Sequence, residues 1–203
     1  MSFRTLLLCA VGALAFAASV SAKPVIGDAA PAFSLAGADG REHALADYRG
    51  RIVVLEWHNP ECPFVKKHYA AGNLPRQQAD ALASGAVWLT INSAAPGKQG
   101  ELDAANANAW LASQQARPRA YLFDRDGSVG RAYAAKTTPH LYVIDREGML
   151  RYAGGIDSIA SADADDIAAA VQYVPQVLAE LAAGKAVSVP TSEPYGCSVK
   201  YGS

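Results

Sequence analysis

Residues Val53 to Tyr69 read VVLEWHNPECPFVKKHY, an apolar run, a short polar turn, a cysteine and then a proline. The run Arg51–Trp57 is short and almost wholly apolar, which suits a central parallel strand buried on both faces. Pro63 suits the first position of a helix, because it has no N–H to leave orphaned there and its φ is already helical. Cys62 therefore falls at the N-cap, where free N–H groups and the helix dipole favour a thiolate. Lys66 and Lys67 follow one turn along and add positive potential. Such surroundings bring a cysteine from about 8.5 into a range of roughly 3.5 to 7.5. The alternative is an inert, buried cysteine, and the strand–turn–Cys–Pro–helix order favours the reactive one. Val65 stands where a dithiol motif would place its second sulfur.

Working outward, AFSL and EHAL flank Asp39-Gly40 and predict a hairpin on the N-terminal side. The helix from Pro63 breaks near Gly72-Asn73 and restarts at Pro75 through Ala83. AVWLTIN (86–92) predicts a second buried strand, SAAPGKQGELD a long polar loop in which Lys98 or Gln99 lines the site, and Leu102–Gln115 a helix. AYLF (120–123) and HLYVID (140–145) predict two more strands, the latter joined to MLRYAGG through Arg146-Glu147-Gly148. Val174, Val177, Leu178 and Leu181 recur at i, i+3, i+4 and i+7 in a last helix that stops at Gly184. Strands alternating with helices and ending in a hairpin predict one α/β domain, a mixed central sheet sandwiched by helices. An extended tail rich in Pro, Ser and Gly, residues 185–203, follows the domain of residues 23–184.

Residues 1–22 have the pattern of a signal peptide: Arg4, the apolar TLLLCAVGALAFAASV, and the small residues Val20-Ser21-Ala22 before the cut. The expectation is export to the periplasm, with no stable membrane insertion after cleavage. The formal net charge of −1 over 203 residues offers no basic surface for nucleic acid. Cys9 leaves with the leader, so Cys62 and Cys197 remain, in a compartment that permits a disulfide. One such pair is not a disulfide framework, and a redox role is favoured over a purely structural one.

The segments GDAAPAFSLAGADGREHALADYRGRIVVLEWHNPECP and KTTPHLYVIDREGMLRYAGG resemble redoxins, the thioredoxin-fold group that includes peroxiredoxins and periplasmic thioredoxin-like proteins. With YGCSVKY near the C-terminus, the mature chain is most similar to exported proteins of the peroxiredoxin-like (alkyl hydroperoxide reductase/thiol-specific antioxidant) type. The resemblance implies that Cys62 is the nucleophile and that Thr138-Pro139 carries a cis-proline beside it. Thr138, Pro139, His140, Asn59 and Trp57 then become candidate substrate contacts. Glu56 matches the buried acid of thioredoxins; if buried, its pKa rises and it suits proton shuttling, and if not it is a strand-end residue facing solvent. His58 and His140 are bland loop or strand-end residues or movers of a proton near Cys62. The Sco-type copper chaperones share the fold but use a pair of nearby cysteines, absent here, so no metal is expected.

Three functions follow: thiol–disulfide exchange, peroxide reduction through a sulfenic acid, or a non-catalytic binding module. Peroxiredoxins supply a Thr or Ser three residues before the cysteine, a proline further upstream and a distant arginine. Those places fall here at Asn59, Leu55 and Pro139, which favours disulfide exchange over fast peroxidase chemistry. Cys197 is the intramolecular candidate for the resolving thiol, and the alternative is an incidental thiol near the terminus. An extended chain from Gly184 reaches roughly 45 Å, enough to cross a domain or to bridge to a second subunit. Such chemistry needs no cofactor, only a thiol or disulfide partner, protein or small molecule, and an external reductant.

Overall fold

The computed structural model describes residues 24–202, so the leader-like residues 1–22 and Cys9 lie outside the described residues. A seven-stranded mixed sheet runs in the order β2-β1-β5-β4-β3-β7-β8. Its members are β1 (Ser34–Gly37), β2 (Glu42–Ala44), β3 (Val53–Trp57), β4 (Val87–Asn92), β5 (Ala120–Phe123), β7 (His140–Ile144) and β8 (Leu150–Gly154). Strands β3, β4 and β5 are parallel neighbours, and the other pairings are antiparallel. The apolar runs read as buried strands are these central ones, and every residue of β3 and β4 is buried.

Alternation along β3 sorts its side chains between two cores. Val53, Leu55 and Trp57 enter one, with Leu89, Ile91, Leu122, Tyr142 and Tyr133. Val54 enters the other, under α1 (Pro63–Ala70), α2 (Asn73–Ala83) and α5 (Tyr173–Ala182), with Cys62, Val65, Tyr69, Trp88 and Val174. Helix α3 (Ala104–Ser113) covers the β5 side through Ala107 against Tyr121. The break between α1 and α2 lies where Gly72 takes φ +68°. A short helix, α4 (Ser128–Ala132), interrupts what read as plain loop; Asp124 caps it by accepting from the N–H groups of Val129 and Gly130.

The tail is extended, as its composition predicts, but it does not leave the domain. It folds back across the end of the sheet, where β9 (Cys197–Ser198) pairs antiparallel with β6 (Thr137–Thr138). Most residues from Val187 to Gly202 are partly buried. Its polar groups find partners on the body, as when Ala95 N–H donates to Lys200 O at 2.9 Å and Tyr201 Oη to Ala135 O at 2.8 Å. Small and glycine residues here serve close backbone contact.

Candidate active site

Pro63 is the first residue of α1 and Cys62 its N-cap, at φ −69° and ψ 124°. The cysteine thus stands at the carboxyl end of β3, where ligands bind in open α/β sheets. The residue is 1% exposed. The Thr138–Pro139 bond is cis, and the Cys62 thiol donates to the Thr138 carbonyl oxygen at 3.0 Å. The Cys197 sulfur lies 2.7 Å from that of Cys62, both as free cysteines. A disulfide bond of about 2.05 Å needs only a small further approach.

The two sulfurs are electrostatically unlike. Burial pushes the Cys62 thiol up, but hydrogen bonding from Cys197, Thr138 and the Cys197 N–H, together with the nearby Val65 N–H, outweighs it, and the group sits below its ordinary range. Cys62 makes no cap hydrogen bond through its side chain, so Val65 acts by its dipole, as the orphan donors of a first helical turn do. Cys197 is pushed up to about 11 by burial, by its hydrogen bond to Cys62 and by the Cys62 charge. Cys62 is therefore the first of the pair to ionise; on doing so it gives up its bond to the Thr138 carbonyl, and Cys197, which keeps its proton, becomes the donor between the two sulfurs. The expected help from lysine is absent: Lys67 extends to the Ser161 carbonyl at 2.9 Å, and Lys66 is exposed.

The other candidates fall into three groups. Glu56 is fully buried. Its carboxylate accepts from Tyr69 Oη (2.8 and 3.0 Å), Trp88 Nε1 (2.8 Å), Gln78 Nε2 (3.3 Å) and Thr90 Oγ1 (3.3 Å). Burial raises it to about 7 even against those four donors. No hydrogen bond joins it to Cys62; Tyr69, its nearest link, lies two helical turns along α1, roughly 10 Å of rise.

Trp57 is corrected from substrate contact to core. It points to the face opposite Val54, donates to Ser93 Oγ at 3.0 Å and packs against Tyr133 and Tyr142 at 5.3 and 5.1 Å. The reason is strand alternation, which puts adjacent residues on opposite faces. His140 follows the same rule. Its ring lies 4.5 Å from that of Tyr142, and its Nδ1 faces Tyr142 Oη and the Lys136 N–H. Asn59 is also spent internally: its amide donates to Gln99 O at 3.1 Å and accepts from the Glu61 N–H at 2.9 Å. His58 is fully enclosed by Tyr69, Trp110 and Tyr121, with Nδ1 3.1 Å from Tyr121 Oη, and burial pulls it down to about 3. Lys98 is exposed and takes no part.

Thr138, Pro139, Cys62 and Cys197 are thus the candidates that meet. Sequence reasoning missed Tyr195, His68 and Asp157, which join the tail to α1. One signal pointed to them: His68 lies three residues after Val65 on the buried side of α1, a polar group where the pattern asks for an apolar one.

The chain matches the family model described as AhpC/TSA over residues 26–153. No protein of curated function matches it. Among solved structures, a hypothetical protein from Sinorhizobium meliloti is 24% identical with TM-score 0.75, over 90% of this chain and 97% of that one. An uncharacterized conserved protein from Geobacillus kaustophilus is 26% identical with TM-score 0.75, over 88% and 93%. A putative thiol:disulfide interchange protein DsbE from Chlorobium tepidum is 27% identical with TM-score 0.51, over 63% and 83%.

Proposed function

The chain belongs to the AhpC/TSA family, and we propose that it acts there as an exported thiol–disulfide oxidoreductase, with Cys62 as nucleophile and Cys197 as resolving thiol. Its thioredoxin-like fold and thiol-dependent oxidoreductase class follow from the family and from its solved neighbours. The single observation that supports the two cysteine roles is the pair of sulfurs 2.7 Å apart with opposite proton affinities.

In the proposed cycle the Cys62 thiolate attacks one sulfur of a partner disulfide and the other sulfur leaves as a thiolate. Cys62 is then a neutral disulfide sulfur. The hydrogen bond and charge that raised Cys197 vanish, leaving only burial to hold its proton. Cys197 releases that proton and attacks Cys62, the partner departs as a dithiol, and a Cys62–Cys197 disulfide remains. An external dithiol reduces it and is itself oxidised to a disulfide. Peroxide is expected to react more slowly at this site, because Asn59 is engaged elsewhere and Lys67 is turned to the Ser161 carbonyl, leaving neither to polarise the leaving oxygen.

Non-reducing peptide mapping of the reduced mature chain, after one equivalent of a small disulfide or of hydrogen peroxide, tests the assignment. The expected product is a Cys62–Cys197 bridge, formed faster with the disulfide. Accumulation of Cys62 adducts without the bridge removes Cys197 from the cycle, and a Cys62→Ser chain that keeps full physiological function makes the protein a binding module. Export is tested by the N-terminus of the mature protein, expected at Lys23; a mature chain that still begins at Met1 rejects it.

A further inference from the structure

The tail is seated by more than its short strand. Tyr195, two residues before Cys197, packs edge-on against Phe64 of α1, with ring centroids 5.7 Å apart. Its hydroxyl donates to Asp157 Oδ1 at 2.5 Å and lies 3.2 Å from His68 Nε2. His68 is fully buried and Asp157 is 2% exposed. Asn73 Nδ2 donates to His68 Nδ1 at 2.9 Å, which leaves the ring proton on Nε2, facing Tyr195 Oη. Apart from Tyr195, Asp157 Oδ1 has only the Ile159 N–H at 3.1 Å, and Oδ2 has no hydrogen-bond partner. A buried carboxylate beside a buried imidazole is costly unless donors satisfy it. The body therefore holds a polar socket that the tail's phenol completes.

The socket and the nucleophile share one rigid element, since His68 and Cys62 both belong to α1 and its cap. Between Tyr195 and Cys197 stands Gly196, at φ +133°, where a Cβ would sit 2.1 Å from the Thr138 carbonyl oxygen. The latch is thus one residue from the sulfur it would hold, across a backbone contact with no slack.

We propose that Tyr195 is a positioning residue: seated between Asp157 and His68, its hydroxyl holds Cys197 against Cys62 and keeps Cys62 closed to molecules from outside. The closure half of this rests on the thiol-exchange assignment made above, and the shielding half does not. Releasing the latch moves two quantities in opposite directions. The effective concentration of Cys197 at Cys62 falls, and the access of an outside reagent to Cys62 rises.

The test is Tyr195→Phe, which keeps the ring and removes the hydroxyl. In glutathione buffers, where two cysteines close as one glutathione disulfide becomes two glutathione thiols, the Cys62–Cys197 equilibrium constant is expected to fall about tenfold, the size of one hydrogen bond to a charged acceptor. In a Cys197→Ser background, iodoacetamide alkylation of Cys62 is expected to quicken several-fold on adding Tyr195→Phe. That gain should not depend on low urea, because local opening exposes little surface whereas global unfolding exposes much. Asp157→Asn keeps an acceptor for the phenol but not its charge, and is expected to fall between wild type and Tyr195→Phe in both readouts. An unchanged alkylation rate, or a gain that climbs with urea as global unfolding does, overturns the proposal. If the wild-type chain never forms the bridge in glutathione, the resolving role of Cys197 fails, and the alkylation comparison still decides the latch.

Discussion

Replacing Glu56 by glutamine isolates the cost of ionising a carboxyl in the centre of this protein. Glutamine fits the same donors: its oxygen, placed at Oε2, still accepts from Trp88, Gln78 and Thr90, and its amide can donate to Tyr69 Oη. Burial carries Glu56 from an ordinary 4.5 to about 7. At 1.36 kcal/mol per pH unit, that is worth about 3 kcal/mol in all. A carboxyl whose folded pKa is raised contributes its full stability below 4.5 and has lost it once the pH has climbed through about 7, because over that window the unfolded chain ionises freely while the folded carboxyl stays protonated. Between pH 5 and pH 8 wild type should therefore lose roughly 2–3 kcal/mol relative to E56Q, in urea unfolding with matched slopes. The buried histidines titrate alike in both proteins and cancel. Parallel stability–pH profiles for the two would refute the reasoning, since the carboxyl would then ionise at its unfolded pKa.

Other outcomes follow from the same geometry. Cys197→Ala should raise the pKa of Cys62, read from thiolate ultraviolet absorbance against pH, because Cys197 is the foremost of the groups that offset burial there; an unchanged titration would contradict that. Gly196→Ala should slow closure of the Cys62–Cys197 bond at least tenfold and open the tail to limited proteolysis, since the added methyl collides with Thr138. A protease-resistant tail in that variant would mean that the contact is looser than described. Trp57→Phe should cost roughly 1–3 kcal/mol in denaturant unfolding while leaving the exchange rate of Cys62 within twofold of wild type; a large rate loss at full stability would return Trp57 to the site.

Much of the architecture was legible because its causes are local. The junction at Cys62 was readable from a buried strand, a turn and Pro63, since each follows from preferences acting over a few residues. The break at Gly72 and the stop at Gly184 were readable for the same reason, both glycines taking left-handed φ. The phase of β3 was not. An apolar strand buried on both faces carries no alternation, so nothing in VVLEW distinguishes Glu56, beneath α1 and α2, from Trp57 in the opposite core. Helix α4 escaped because five residues leave too little periodicity to recognise.

By itself the sequence placed a cysteine, Cys62, at a helix N-cap, with Pro63 behind it and no second sulfur at Val65. It also determined the class of the sheet that carries that cysteine. Only the tertiary structure decided which groups surround the sulfur, because they arrive from distant segments. Thr138 and Pro139 come from the end of β6, just before β7, and Cys197 from near the end of the chain. Tyr195, Asp157 and His68 come from three separate elements. Local preferences set each backbone segment and leave open where it meets another. The proton balance between two thiols depends on that meeting, since burial, hydrogen bonds and charge act across space.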